Sequence, residues 1–160
     1  MMPATKMKTL KRCPWPANDA LMVRYHDQEW GVPLHDDRKI FEFLVLDTFQ
    51  AGLSWRTVLY KRENFRKAFA GFDFKKVARF TARDRARLVR DAGIIRNRAK
   101  IEAAINNAKR FLEIRSEFGS FSAYMWSWVG KKPLVHKLKT LKDYPPTTPV
   151  AVEWAKDCVV

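Results

Sequence analysis

The sequence has little of several features that mark common protein classes. Its two cysteines, Cys13 and Cys158, are too few for the disulfide framework of a small secreted domain. No apolar run approaches the roughly 20 residues that a membrane-spanning helix needs. The opening "MMPATKMKTLKRCPWP" also lacks the apolar centre of a secretory signal. These absences favour a soluble cytoplasmic protein that does not span a membrane and whose cysteines are reduced thiols or metal ligands.

Acidic residues are also scarce. Seventeen Asp and Glu stand against 31 Lys and Arg, which gives a formal net charge of +14. Such an excess attracts polyanions through long-range steering and counterion release, so nucleic acid is the leading partner class and an anionic membrane surface the second. The 160 residues are 47% hydrophobic and 13% aromatic, which is enough to bury the core of one domain.

Strand-like alternation is essentially missing, and every strong periodic pattern is helical. Residues 36–52 and 54–71 each open on an N-capping residue and close on a glycine. Thr81 and Asp84 have the spacing of a capping box at the start of a third helix, and an apolar stripe over 101–112 indicates a fourth. A helix, a tight turn and a second helix are therefore predicted around Gly93.

Two shorter helices complete the predicted fold. One covers residues 120–130, and the other starts at Thr148 and Pro149, with a basic, proline-broken connection between them. We predict a single all-α domain over residues 13–160, preceded by a flexible basic N-terminus over residues 1–12.

The predicted helical hairpin is strongly basic. Residues 79–100 carry seven arginines and one lysine against two aspartates, a local net charge of +6. A run of charge usually means a solvated helix face. Here the charges flank the turn "DAGII", where Gly93 allows close approach of the backbone and the amides at the start of the next helix can bind an anion. We favour a helix-hairpin-helix that grips a DNA phosphate.

Asp47 is an unusual residue in its surroundings. It follows the apolar run "IFEFLVL" and precedes an Ala-Gly turn, where burying a carboxylate is costly unless a partner compensates its charge. One interpretation is a helix cap or a side chain that faces water. The other is a carboxylate at the base of a ligand pocket.

Aromatic residues are concentrated near the N-terminus. Trp15, Tyr25, His26 and Trp30 lie within 16 residues, and Trp55 follows. They are either core residues or the walls of a pocket for a planar, cationic ligand. An alkylated purine is such a ligand, because it carries positive charge and leaves its sugar as a neutral base, so binding the flipped base would supply much of the catalysis.

Four segments of the sequence resemble DNA-3-methyladenine glycosylase I. They are "RCPWP", "YHDQEWGVP", "QAGLSWRTVLYKRENFRKAF" and "DAGIIRNRAKIEAAINNA", in the family's order and with nearly unbroken spacing from Cys13 to about Pro149. The resemblance implies an all-helical member of the helix-hairpin-helix glycosylase superfamily. Its expected activity is hydrolysis of 3-methyladenine from alkylated double-stranded DNA, as a monomer and without strand cleavage.

The resemblance also implies roles for individual residues. Trp15, Tyr25 and Trp55 match positions that line the base pocket, and Gln50 and Leu53 match positions that probe the duplex beside the extruded nucleotide. The aromatic residues expected to bind the base are thus Trp15, Tyr25 and Trp55, together with Trp30. The remaining matches fall on the phosphate-binding hairpin, where we expect DNA contacts from Gly93, Ile94, Arg96, Arg98 and Lys100.

Asp47 matches a position where the family has a glutamate that hydrogen-bonds the damaged base, so the charge is kept and the reach shortened by one methylene. We expect Asp47, Tyr25 and Trp55 to take part in catalysis. The family lacks the catalytic aspartate of many superfamily relatives, so Asp47 is not assigned as a general base. Met22 is a second departure, because a tyrosine is common at its position.

Cys13 and His26 match two ligands of the family's structural zinc site. On residue types alone, a buried thiol and a surface imidazole explain them as well. The resemblance places the second His and Cys pair past residue 160, in a C-terminal segment that this chain would then lack, and Cys158 is a poor substitute. We therefore expect weak or absent zinc binding.

The leading prediction is a base excision repair enzyme of the cytoplasm, with no membrane partner, that associates with the nucleoid when bound to DNA. An alternative is a DNA-binding protein of the same fold with impaired catalysis. A basic RNA-associated helical module is a third interpretation.

Overall fold

The computed structural model describes residues 12–135, 140, 143 and 145–157. Over these residues the secondary structure is helical, without strands, which confirms the predicted all-α class. A 3-10 helix at Ala70–Phe72 joins the third and fourth helices. The α-helices α1 to α8 are Ala20–Gln28, Asp37–Gln50, Trp55–Ala68, Phe74–Val77, Ala82–Arg90, Arg98–Phe118, Phe121–Ser127 and Pro149–Asp157.

The chain divides into two compact units, one within residues 1–32 and one within residues 33–160. The first contains α1, and the second contains the other seven helices found in the described ranges. None of the helices that could be searched is both long and apolar enough to cross a bilayer. Of the predicted flexible N-terminus, only Arg12 lies among the described residues, where it pairs with Asp27.

Helix starts follow the predicted capping residues. The Asp36 carboxylate accepts from the amide of Lys39 at the start of α2, and the Ser54 hydroxyl accepts from the amide of Thr57 at the start of α3. Thr81 and Asp84 form the predicted capping box of α5. Because each cap satisfies amides that the first helical turn leaves unpaired, these local signals fix where the helices begin.

The helices differ from the prediction in several places, and neither the 3-10 turn nor α4 was predicted. The segment 20–28 forms α1, which sequence periodicity did not indicate. Helix α3 ends at Ala68 rather than running to Gly71, which has φ 64° inside the following 3-10 turn. Helix α7 ends at Ser127, three residues before the predicted glycine stop.

The second unit is built around phenylalanine. Rings from α2, α3, the 3-10 turn and α6 are fully buried and pack edge-to-face or stacked on one another: Phe41, Phe49, Phe65, Phe69, Phe72 and Phe111. The predicted α6 stripe of Ile101, Ala104, Ile105 and Ala108 is buried in the same core. This packing fixes α2, α3 and the α5–α6 hairpin, which carry most of the predicted site.

Candidate active site

The connection between α2 and α3 presents an exposed apolar side chain. Helix α2 ends at Gln50, and the Leu53 amide donates to the Gln50 carbonyl at 2.6 Å to close a tight turn. Gly52 has φ 77°, a conformation that side chains with a Cβ rarely adopt. The turn leaves Leu53 43% exposed, a large apolar group held away from the core. This geometry suits the predicted duplex probe.

Asp47 lies in the last turn of α2 and is exposed. It does not cap α3, because Ser54 takes that role. Within the described ranges its carboxylate has neither a hydrogen-bonding partner nor an ion pair, while the partial burial of its surroundings raises its pKa. A negative charge near a helix C-terminus is also disfavoured by the helix dipole. The carboxylate is therefore a charge whose cost the fold itself does not offset.

An aromatic pair lies on the same side of α2. Phe43 is four residues before Asp47, so both project from one helix face. The Phe43 ring stacks on the Trp55 ring with centroids 6.4 Å apart and planes inclined by 21°. Sequence reasoning identified Trp55 and missed Phe43, because an aromatic inside "IFEFLVL" reads as core. Its i, i+4 spacing from Asp47 was the available signal.

A cluster of buried charged residues lies next to the Phe43 ring. Glu42 accepts from Arg62 at 2.6 Å and from Arg66 at 2.8 Å, which joins α2 to α3. The Arg62 guanidinium also lies 5.1 Å from the centroid of the Phe43 ring. Removing one member would leave a buried charge less well compensated, so the cluster is expected to stabilise the contact between α2 and α3 next to Phe43.

The hairpin turn is packed on α3. Gly93 donates its amide to the Asp91 carboxylate at 2.8 Å, and its carbonyl accepts from Lys61 and Asn64. A Cβ at position 93 would lie 3.2 Å from Asn64 atoms. The added Cβ would also lie 2.9 Å from the Asp91 carboxylate, so packing against Asp91 and Asn64 favours a glycine here whether or not DNA is bound. The Ile94 side chain is buried in the core, so any DNA contact by this residue comes from its backbone.

The outer side of the turn offers charge and amides. Arg96 and Arg98 are exposed on either side of Asn97, which caps α6. The amides of Ile95 and Arg96 make no hydrogen bond to another residue that the structure describes. Lys100 differs, because its ammonium donates to the carbonyls of Phe49 and Ala51 at the end of α2.

The first unit contains an aromatic cluster. The Trp15 ring lies 6.3 Å from Tyr25, 5.1 Å from His26 and 5.3 Å from Trp30, measured between centroids. Trp15 and Trp30 are 37% and 39% exposed, so neither is a core residue. Met22, the departure in α1, is buried. Trp15 and Trp30 are therefore partly open to solvent, as a base-binding surface requires.

His26 is arranged as a metal-binding imidazole is. Its Nδ1 lies 2.9 Å from the Asp27 carboxylate, while its Nε2 is shielded from solvent and makes no hydrogen bond with any described atom. A carboxylate on one ring nitrogen commonly orients the other towards a metal. Arg12 and then His26 lower the pKa of Asp27 to about 2, which keeps that carboxylate charged.

A complete metal site is not assembled in the part of the chain that the structure describes. No three His, Cys, Asp or Glu side chains meet there, and Cys13 is a free, partly buried thiol. His136 and Cys158 lie outside the described residues. Cys13 and His26 alone do not fit a closed structural zinc site, which takes four ligands.

Comparison with known proteins gives concordant matches. Residues 15–159 match the family model described as methyladenine glycosylase. DNA-3-methyladenine glycosylase 1 of Escherichia coli strain K12 is 48% identical over 139 residues, which cover 87% of this chain and 74% of that protein.

Solved structures agree with these matches. A crystal structure of 3-methyladenine DNA glycosylase I superposes with a TM-score of 0.88 at 44% identity, covering 92% of this chain and 81% of the other. A Staphylococcus aureus structure that addresses 3-methyladenine recognition by the same enzyme also has a TM-score of 0.88, at 38% identity, with coverages of 91% and 78%.

Proposed function

Because the chain belongs to the methyladenine glycosylase family, we propose that it hydrolyses the N-glycosidic bond of 3-methyladenine in alkylated double-stranded DNA. The glycosylase class predicted from sequence is confirmed by the family match and by relatives that bear this name. The structural observation that carries the proposal is the uncompensated Asp47 carboxylate on the same face of α2 as Phe43, whose ring stacks on Trp55.

The chemistry follows from the charge of the lesion. A 3-methylated adenine is cationic on its sugar, and cleavage of the bond from C1′ to N9 returns the bonding electrons to the purine, which leaves neutral. Water adds its oxygen to C1′ and releases a proton to solvent, which leaves an abasic site. The protein must extrude the base, stack on it and accept a hydrogen bond from it.

Residues of the second unit suit these three tasks. Leu53 is the apolar group that would fill the gap left in the duplex, with Gln50 beside it. Trp55, supported by Phe43, supplies an aromatic face, and Asp47 supplies an acceptor and a negative charge for a cationic base. For the first unit, the resemblance noted in the sequence is what supports Trp15, Tyr25 and Trp30 as proposed base-binding residues.

Release of free base tests the proposal directly. Methylated duplex DNA is incubated with the protein, and the liberated bases are separated by chromatography. We expect 3-methyladenine to appear in a protein-dependent manner, with strands left unbroken until alkaline treatment. Duplex binding without base release would favour the impaired DNA-binding protein, and preference for RNA would favour the RNA-associated module.

The hairpin is proposed to bind the DNA backbone, with Arg96, Arg98 and the free amides of its turn as phosphate ligands. We expect the logarithm of affinity for undamaged duplex to fall with the logarithm of salt concentration with a slope of about −3 to −5. Arg96→Met and Arg98→Met should each make the slope shallower by about 0.9, for every duplex sequence alike. Fluorescence anisotropy over a salt series measures this, and a slope near zero would contradict the phosphate contacts.

We also propose that this chain holds zinc weakly. Cys13 and His26 supply two of the four ligands of a structural site, so much of the coordination energy is missing. Elemental analysis of protein purified without a metal-binding tag should find well below one zinc per chain after dialysis against a mild chelator. One zinc per chain that survives dialysis, and is lost in Cys13→Ser, would show that further residues complete the site.

The remaining expectations concern the state of the protein in the cell. We propose that it acts as a monomer in the cytoplasm and associates with the nucleoid when bound to DNA. Sedimentation of the purified chain tests the first, and a concentration-dependent mass above 18.8 kDa would contradict it.

A further inference from the structure

Lys100 carries a basic side chain inside the hairpin, yet its ammonium is directed at protein. It lies in the first turn of α6, where its amide donates to the capping side chain of Asn97. Its Nζ donates to the Phe49 carbonyl at 2.9 Å and to the Ala51 carbonyl. These are carbonyls that the last turn of α2 leaves unpaired, at the negative end of that helix dipole.

A second set of contacts links the same two regions from the other side of the turn. Lys61 of α3 donates to the carbonyls of Ala92 and Gly93 at 3.3 and 3.2 Å, and Asn64 donates to Gly93 at 3.3 Å. Helix α3 begins directly after the turn that carries Leu53. The turn 51–54 is therefore tied to the hairpin at its start through Lys100 and at its end through α3.

We infer that Lys100 is a positioning residue that fixes the duplex-probing turn, with Gln50 and Leu53, at a set distance from the phosphate-binding hairpin. This inference rests on the proposed function of both elements. When the hairpin grips a phosphate, that distance decides which nucleotide Leu53 meets. The ammonium donates to the carbonyls at the end of α2 instead of binding a phosphate. Its effect on DNA is therefore indirect, through the position of Leu53.

Two properties separate this role from a phosphate contact. Loss of a phosphate ligand makes the salt dependence of binding shallower by about 0.9 per charge, whereas loss of a positioning residue leaves it unchanged. A probe displaced by about 1 Å can lower a reaction rate by about 100-fold while the backbone contacts persist. Loss of a phosphate ligand therefore changes the salt slope, whereas loss of a positioning residue changes probe insertion and leaves the slope as it was.

The experiment compares Lys100→Met with Arg98→Met, which removes an exposed cation from the same turn of α6. Affinity for undamaged duplex is measured over a salt series. Insertion of the probe is measured by fluorescence of 2-aminopurine placed beside a stable abasic analogue, because unstacking brightens this base. Since the second readout needs no hydrolysis, it separates a failure of the positioning role from a failure of the proposed enzymatic activity.

For Lys100→Met we expect an unchanged salt slope, a reduced fluorescence rise and single-turnover excision lower by about 10- to 100-fold. For Arg98→Met we expect a shallower slope with a normal fluorescence rise. In a Leu53→Ala background, Lys100→Met should have little additional effect, because both changes remove the same insertion.

Two results with Lys100→Met would overturn the inference. One is a slope that becomes shallower by about 0.9 in Lys100→Met, which would make Lys100 a phosphate ligand. The other is an effect of Lys100→Met that adds fully to that of Leu53→Ala. Lys100→Arg, which keeps the charge and several N–H donors, should preserve the fluorescence rise. It serves as the test variant if Lys100→Met does not fold, and a loss of insertion in a folded Lys100→Arg of normal stability would also contradict the role.

Discussion

Replacing Trp55 by alanine should lower the excision of 3-methyladenine by about 5- to 150-fold, while affinity for undamaged duplex changes less than twofold. Stacking of an aromatic side chain on a base contributes roughly 1–3 kcal/mol, and this contact forms only after the base has left the duplex. Trp55 is half-buried and stacked on Phe43, so it already has the orientation that a second stacked ring requires. Single-turnover excision and duplex anisotropy measure the two quantities.

Tyr60→Ala is the matched control for Trp55→Ala. Tyr60 is an aromatic of the same helix that is 57% exposed, and the Arg56 guanidinium lies 5.6 Å from the centroid of its ring. We expect normal excision from this variant. Trp55→Phe, which keeps an aromatic face, should retain most of the activity. If Trp55→Ala lowered duplex binding and excision equally, with a matching loss of thermal stability, Trp55 would be a packing residue only.

Helix positions could be predicted because their signals are local. The side chains of Asp36 and Ser54 each satisfy amides within three residues, and the Thr81–Asp84 box does so reciprocally. Such contacts depend on the chain's immediate sequence and hardly on tertiary structure. The α6 stripe was predictable for the same reason, since the helical period brings its apolar residues onto one face.

Contacts between distant segments could not be predicted in this way. Lys100 lies in a basic run, which predicts a DNA contact. Its ammonium instead donates to the carbonyls of Phe49 and Ala51, which are 51 and 49 positions away in the sequence. Gly93 reads as a site of ligand approach, and its neighbour is Asn64 of α3. In both cases the residue type was informative, while its partner depended on how α2, α3 and the hairpin pack together.

Asp47 shows what the sequence and the structure each contribute. A carboxylate after an apolar run raised the question of its partner, and the structure supplies none within the ranges it describes. Groups that cost stability persist where function requires them. If the partner of Asp47 is the damaged base, removal of the charge should weaken function and strengthen the fold together.

Asp47→Asn is therefore expected to lower excision by about 10- to 100-fold, because a hydrogen bond to a charged group contributes about 1.5–3 kcal/mol. At neutral pH the same variant should be more stable by about 0.3–1 kcal/mol, since the helix dipole no longer opposes a charge in the last turn of α2. For a chain of this length that gain corresponds to a rise in Tm of about 1–4 °C.

The pH dependence of this gain follows from the direction of the pKa shift. The Asp47 side chain is exposed, but its partly buried surroundings raise the pKa of its carboxyl in the folded state, so ionisation of this group disfavours folding. The cost is absent below the unfolded pKa, where both states are protonated, and fully present above the folded pKa. The difference in Tm between Asp47→Asn and the unaltered chain should accordingly vanish as pH falls into the acidic range.

Asp47→Glu provides the comparison for both measurements. It keeps the charge and restores the side chain expected at this position of the family, so excision should be preserved or increased, while the stability gain should be absent. Single-turnover assays and thermal unfolding over a pH series supply the data. Excision that is unchanged in Asp47→Asn would show that the carboxylate does not contact the base. A gain in Tm without any loss of excision would then make Asp47 a surface charge that the protein can lose.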